Sequence, residues 1–386
     1  MRKTGTILAL CFLLLLSACG KPAEEPVRSQ PIIEEIPELS NQIVLSCESA
    51  DLTIDEAQFQ YYFGHQFAKV LEAYGENAFD PAQDLSAQAY DDTQSWQDVL
   101  LTQALDHAEQ TAQLCLAAKE AGFSNPAAQR FDEIEKLVEQ SAKEKHYPSA
   151  EAYLVANYGE GATVSGYSEF LQNVALADAY SQSLLTDREY PAEEVEAFYD
   201  SHAGDYAGTF DIPKNDECRL DVRMIRFYPD DPGDPKDWSD AEARANDVIR
   251  QLEKEPTDET AAALADQYTE DFKAPEGGLY EKLSPGMNGE SVDSWLFPEE
   301  ETRTPGEWKL IREDDVYTLC YVSAAEDTPY WWIVAEQDMR YADYINDLSA
   351  LQETYSFTRY PENVTLRVPT AHIAKDDIPD NVEAVG

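Results

Sequence analysis

The residues that run most aqueous enzyme chemistry are unusually placed in this 386-residue chain. Its five histidines are His65, His107, His146, His202 and His372, and none lies in the most patterned stretch, residues 220–327. Of six cysteines, none has the short spacing of a zinc or redox pair. There is no Gly-x-Ser-x-Gly elbow, no HExxH and no EF-hand loop. Carboxylates are plentiful, 76 in all, and nothing singles out one pair for acid–base work. These residues predict no metal and no cofactor. What residues 277–297 do offer is a Gly-Gly step followed by Leu283, Val292, Trp295 and Phe297, the makings of a dry apolar pocket.

One cysteine carries a different chemistry. Arg2 and Lys3 precede an unbroken apolar run of 10 residues, 7–16, too short to span a bilayer comfortably. Leu16-Ser17-Ala18-Cys19 follows and resembles the bacterial lipobox. That resemblance implies cleavage before Cys19, lipid on its thiol and amine, and stable anchoring at the outer face of the cytoplasmic membrane. Residues 20–42 hold four prolines and many glutamates with no apolar period, and read as a disordered tether.

With 28 Lys+Arg against 76 Asp+Glu, the net charge is −48. Such a chain is repelled by polyanions, which excludes nucleic acid as a partner. Cys47, Cys115, Cys218 and Cys320 remain after the signal, and four cysteines allow three pairings among which sequence does not choose. Cys115 and Cys320 sit in apolar runs and read as buried thiols.

Hydrophobic spacing lays out the elements. Residues 43–55 alternate as one strand, ending in an N-cap at residues 53–55. Phe59, Tyr62, Phe63 and Phe67 then recur at helical spacing up to Gly75; such a stripe is core, or else lines a groove for unfolded chains. Helices are predicted over 95–121, from about 125, over 149–157 and 166–187, and after Pro191. Residues 220–228 read as a strand, 240–254 as a helix capped by Ser239, and a second helix starts at Thr257. A short helix at 292–297, strands at 308–312 and 316–322, a long helix from about 329 to 355 and a last strand at 364–368 complete the chain.

The run GGLYEKLSPGMNGESVDSWLF (277–297), with PGEW (305–308) and VYTLCYV (316–322), resembles a parvulin-type prolyl isomerase domain. The preceding helices, from a lead strand through a long helix with a Lys-Glu-Ala-Gly stop, are similar to the chaperone region of SurA-type and PrsA-type foldases. The resemblance implies an α+β chain: a mostly helical chaperone-like domain at 43–210, a β-α-α-α-β-β domain at 218–327, a C-terminal helix and strand at 329–370 packing on the helical domain, and a tail at 371–386. Parvulins place one histidine in a His-Ile-Leu run on the first strand and another in a Gly-Tyr-His-Ile run on the last. Met224 and Thr318 stand at those two positions here. Counting on from the Gly-Gly pair, Asn288 falls at the family's pocket methionine, Val292 at its first pocket phenylalanine and Phe297 at its second. Leu283 and Trp295 are further candidates for a proline pocket.

Rotation about a peptide bond faces a barrier of about 18–20 kcal/mol, lowered by a dry cup and by polar groups that stabilise the twisted amide. With both histidine positions replaced, the expected function is an extracytoplasmic folding factor that binds unfolded or proline-containing segments of exported proteins, its isomerase activity weak or lost. The alternatives are an active prolyl isomerase, and a solute-binding or structural envelope lipoprotein. Two α/β lobes would suit the solute-binding class, and the first half offers helices with almost no strands.

Overall fold

The structure, a computed structural model, describes residues 41–75, 78–125, 128–298 and 301–372. The signal segment, Cys19, nearly all of the tether and the end of the tail lie outside these residues. The chain is a mixture of helix and sheet. Its described residues group into two units: those up to Ala177 together with those from Tyr355 onward, and those from Asp178 to Thr354.

The first unit opens with a hairpin where one strand is predicted. Strands β1 (Ile43–Cys47) and β2 (Leu52–Asp55) run antiparallel, joined by a tight turn through Glu48–Ala50. Asp51, at φ 49°, supplies the left-handed step of the reversal. Both strands alternate, so their pattern merges into one run on the page. Asp55 then caps α1 (Glu56–Tyr74) in a reciprocal box with Gln58, and Gly75 ends it. Ser95 and Asp98 form the same box at the start of α2 (Trp96–Glu120). α3 (Ile134–Glu144), α4 (Ala150–Tyr158) and α5 (Val164–Thr186) follow, and the division between the units falls inside α5.

The aromatic stripe of α1 is core. Phe59, Tyr62, Phe63 and Phe67 are each 4% exposed or less and pack with Leu100, Leu154 and Phe170. α1 and α4 approach so closely that a Cβ on Gly64 would lie 2.7 Å from the Tyr158 ring and 3.0 Å from the Asn157 carbonyl oxygen.

The predicted strand at 364–368 is not a strand. Val364, Leu366 and Val368 do pack against the core, but the Thr365 N–H donates to the buried Glu56 carboxylate at 2.9 Å instead of entering a ladder. The alternation is real and reports only a half-buried extended chain. The strand there lies earlier, at Thr358–Arg359, where it pairs with Leu45 and Ser46 of β1. Arg359 bonds Asp106 at 2.8 Å and Glu109 at 2.7 Å on α2, holding the returning chain in this unit.

In the second unit, α6 (Ala192–Ser201) and α7 (Ala203–Gly208) lead to β3 (Cys218–Phe227). α8 (Pro235–Leu252) starts earlier than predicted, because Asp234 caps it and Pro235 fits its first turn, so Ser239 is interior. α9 (Asp258–Tyr268) is capped by Thr257 as expected. Next comes β4 (Leu279–Leu283), which interrupts the predicted helix-to-helix passage. α10 (Glu290–Leu296), β5 (Trp308–Arg312), β6 (Tyr317–Pro329) and α11 (Tyr330–Thr354) follow. The order is therefore β-α-α-β-α-β-β, not β-α-α-α-β-β. β4 is a five-residue edge strand whose Glu281 and Lys282 face solvent, and so short a mixed run carries little strand signal.

The four strands form one antiparallel sheet in the order β4-β3-β6-β5. α8 and α9 cover one face through Ala241, Val248, Leu264 and Ala265 against Ile225, Phe227 and Leu319. α10 covers the other. Gly278, at φ 61°, brings the chain onto the sheet: a Cβ there would lie 2.7 Å from the Met224 carbonyl oxygen and 2.8 Å from Ala265 Cβ. α11 packs on α6 and α7 through Trp331 and Ala335 against Val195, Tyr199 and Tyr206, and the Tyr206 hydroxyl donates to Asp338 at 2.8 Å.

Candidate functional site

The pleat sorts β3 into two faces. Ile225 and Phe227 point at α8 and α9, while Leu220, Val222 and Met224 point at α10. On β6, Cys320 and Val322 join the α10 side. The two positions matching the family histidines are thus neighbours on adjacent strands, but not directly opposite one another. Met224 pairs with Cys320, and Thr318 pairs with Arg226.

Both are buried. Met224 is 2% exposed and packs with Leu283, Val292, Trp295 and Leu296. Thr318 is wholly buried, and its hydroxyl donates to the Glu313 carboxylate at 2.7 Å. Cys320 lies between them, also fully buried; burial pushes its thiol pKa up strongly, the Glu313 charge adds to this and Arg226 opposes it. That thiol is protonated at neutral pH and is no nucleophile.

The residues expected to form a proline pocket fill the interior. Leu283 and Trp295 are 6% and 8% exposed, Val292 is 2% exposed, and Phe297 packs on them half-buried. The Arg303 guanidinium lies over the Trp295 ring at 5.2 Å, and its Nε donates to the Trp295 carbonyl at 2.7 Å. Asn288 does other work: its backbone N–H and its Nδ2 both donate to Asp293, at 3.2 and 2.9 Å, fixing the turn before α10.

Polar groups that the sequence reading passed over cluster around Arg226. Its Nη1 lies 2.6 Å from Asp271, and its guanidinium sits over the Tyr280 ring at 5.7 Å. The signal was available: in the run Arg-Met-Ile-Arg-Phe, Met224 and Arg226 are two residues apart and share a face. Chemically, this face holds a salt bridge, a threonine–glutamate hydrogen bond and a packed apolar layer. It has no histidine, and among the described residues no group of three or more ligands suits a metal ion.

No protein-family model matches the chain, and no curated protein does. Solved structures give distant matches. The foldase protein PrsA from Lactococcus lactis is 9% identical over 82% of this chain and 94% of its own, with a TM-score of 0.32. PrsA from Bacillus subtilis is 14% identical over 70% of this chain and 91% of its own, with a TM-score of 0.26. Foldase protein PrsA from Streptococcus pneumoniae is 13% identical over 65% of this chain and 80% of its own, with a TM-score of 0.23. Likeness at that level leaves function to be read from the residues.

Proposed function

We propose that this chain is an extracytoplasmic, lipid-anchored folding factor of the parvulin-related foldase kind, whose isomerase activity is weak or lost. It binds unfolded or proline-containing segments of exported proteins as a scaffold. The observation that carries this reading is one sheet face: the stretch resembling a parvulin domain folds as a small antiparallel sheet flanked by helices, and its two histidine positions are Met224 and Thr318, both buried. Acid–base and electrostatic help for a twisted amide requires polar groups in reach of the substrate, and these two side chains offer none at the surface. Anchoring rests on the apolar run at 7–16 and on Cys19. Among the described residues no helix is long and apolar enough to cross a membrane.

The test is suppression of aggregation. The chain from residue 20 onward, in molar excess, is expected to reduce light scattering from a chemically denatured client diluted into buffer. Scattering unchanged from a control with an inert acidic protein would count against the reading.

A further inference from the structure

Asn288-Gly289 is the one Asn-Gly step in the chain. An asparagine in that setting carries its own reagent. The backbone nitrogen of the next residue can close on the side-chain carbonyl carbon, Cγ, and a glycine puts no Cβ in the way. The step lies in the turn between β4 and α10, with Asn288 half-buried and Gly289 exposed, so water reaches it.

Three groups bear on that ring closure. The first is Asp293, which fixes the amide: Asn288 Nδ2 donates to its Oδ1 at 2.9 Å and the Asn288 N–H at 3.2 Å, while the Gly286 N–H donates to Oδ2. The second is the Gly289 N–H itself. Among the described residues it has no acceptor, so it can lose its proton without breaking a bond of the fold. The third is Glu313. A Cβ on Gly289 would lie 2.6 Å from Glu313 Oε1, which keeps that oxygen within about 5 Å of the Gly289 nitrogen. The Thr318 hydroxyl donates to the other oxygen, Oε2, at 2.7 Å and holds the carboxylate there. A carboxylate at that range takes a proton directly or through one water.

We infer that Asn288 is a site of self-modification, deamidated through a succinimide with Glu313 as the base. The Gly289 N–H proton passes to Glu313, the nitrogen bonds to Asn288 Cγ, and the Cγ–Nδ2 bond breaks. Nδ2 leaves as ammonia, taking a proton back through solvent. Water then opens the ring at either carbonyl, giving aspartate or isoaspartate at 288. One water is consumed, one ammonia is released, and nothing is oxidised or reduced. Either product puts a carboxylate where an amide donor now meets Asp293, and carboxylates sharing a site repel. Isoaspartate also adds a methylene to the backbone. The turn that leads into α10 loosens, and α10 supplies the Val292, Trp295 and Leu296 that cover Met224. This inference does not depend on the folding-factor reading.

The test is a timed incubation of the chain from residue 20 onward at neutral pH, with proteolysis and mass spectrometry to read amide-to-acid conversion at each asparagine. A free peptide of residues 282–294, which lacks Glu313, is the reference. Asn288 is expected to convert in the folded chain at least as fast as in the peptide. Glu313→Gln, which keeps an oxygen for the Thr318 hydroxyl, is expected to slow the folded chain about fivefold or more. Glu290→Gln, which removes the charge next in sequence to Gly289, is expected to slow it less. Circular dichroism of both variants checks the fold. Conversion slower than in the peptide, or slowed no more by Glu313→Gln than by Glu290→Gln, would overturn the inference. Asn288→Asp stands for one product and should lower the urea midpoint; an unchanged midpoint would overturn the loosening of the turn.

Discussion

Thr318 is a structural residue of the sheet. Its buried hydroxyl donates to the partly exposed carboxylate of Glu313, so it holds the β5–β6 turn to the sheet. Thr318→Val should remove that bond and leave a carboxylate short of a partner, costing about 1–3 kcal/mol. Urea unfolding would read it as a lower midpoint at unchanged slope; an unchanged midpoint would mean the bond contributes nothing. Gly278 is a second residue with a legible physical role. Its left-handed φ and the 2.7 Å approach to the Met224 carbonyl leave no room for a methyl group. Gly278→Ala should cost about 2 kcal/mol or more, combining backbone strain with a forced shift of the sheet, and a thermal midpoint within a degree of the parent would contradict that. The Gly-Gly pair was visible in the sequence as a turn. That it exists to let the chain touch β3 was not, because close approach is a property of the partner strand.

At the scale of elements, the helices with strong caps and stops were readable: Asp55 with Gln58, Ser95 with Asp98, and Gly75 each end or begin a helix where their chemistry says they should. The misreadings share one cause. β4, the strand at Thr358–Arg359 and the run at 364–368 are short segments whose hydrogen-bond partners are distant in sequence, so alternation alone does not say whether a ladder forms. The period of two places Arg226 on the face of Met224 from the sequence alone, while its pairing opposite Thr318 belongs to the register of two distant strands. Between α1 and α2, His107 forms another junction of this kind. It is half-buried, with its Nδ1 3.1 Å from Gln66 Nε2 and its ring 5.4 Å from that of His65. Burial, then the nearby His65 and Lys69, lower its pKa from 6.5 to about 4. The unfolded chain therefore binds a proton near pH 6.5 that the folded chain refuses until about pH 4. Stability should fall as pH falls through that window, by up to about 3 kcal/mol at about 1.36 kcal/mol per unit. His107→Gln should flatten the pH dependence of the urea midpoint between pH 7 and 4; parallel curves for the two proteins would sink the assignment.

At the scale of the whole molecule, the charge and the sheet make one argument. A chain of net charge −48 stays soluble and repels polyanions, and its histidines lie away from the stretch that resembles an enzyme. Among the described residues no disulfide joins Cys47, Cys115, Cys218 and Cys320, so packing and hydrogen bonds hold each unit. The apolar layer beside Met224 is part of the core of its unit. Here Leu283, Val292 and Trp295 keep the sheet covered whether or not a proline ring ever meets them. The account comes down to one exchange-spectroscopy measurement on a fluorinated proline peptide mixed with excess protein from residue 20 onward, which reads binding and cis–trans interconversion in the same spectra. The account predicts shifted, broadened peptide resonances with an interconversion rate within a few-fold of the free peptide's. Interconversion accelerated a hundredfold or more, or resonances identical to those of the free peptide, would contradict it.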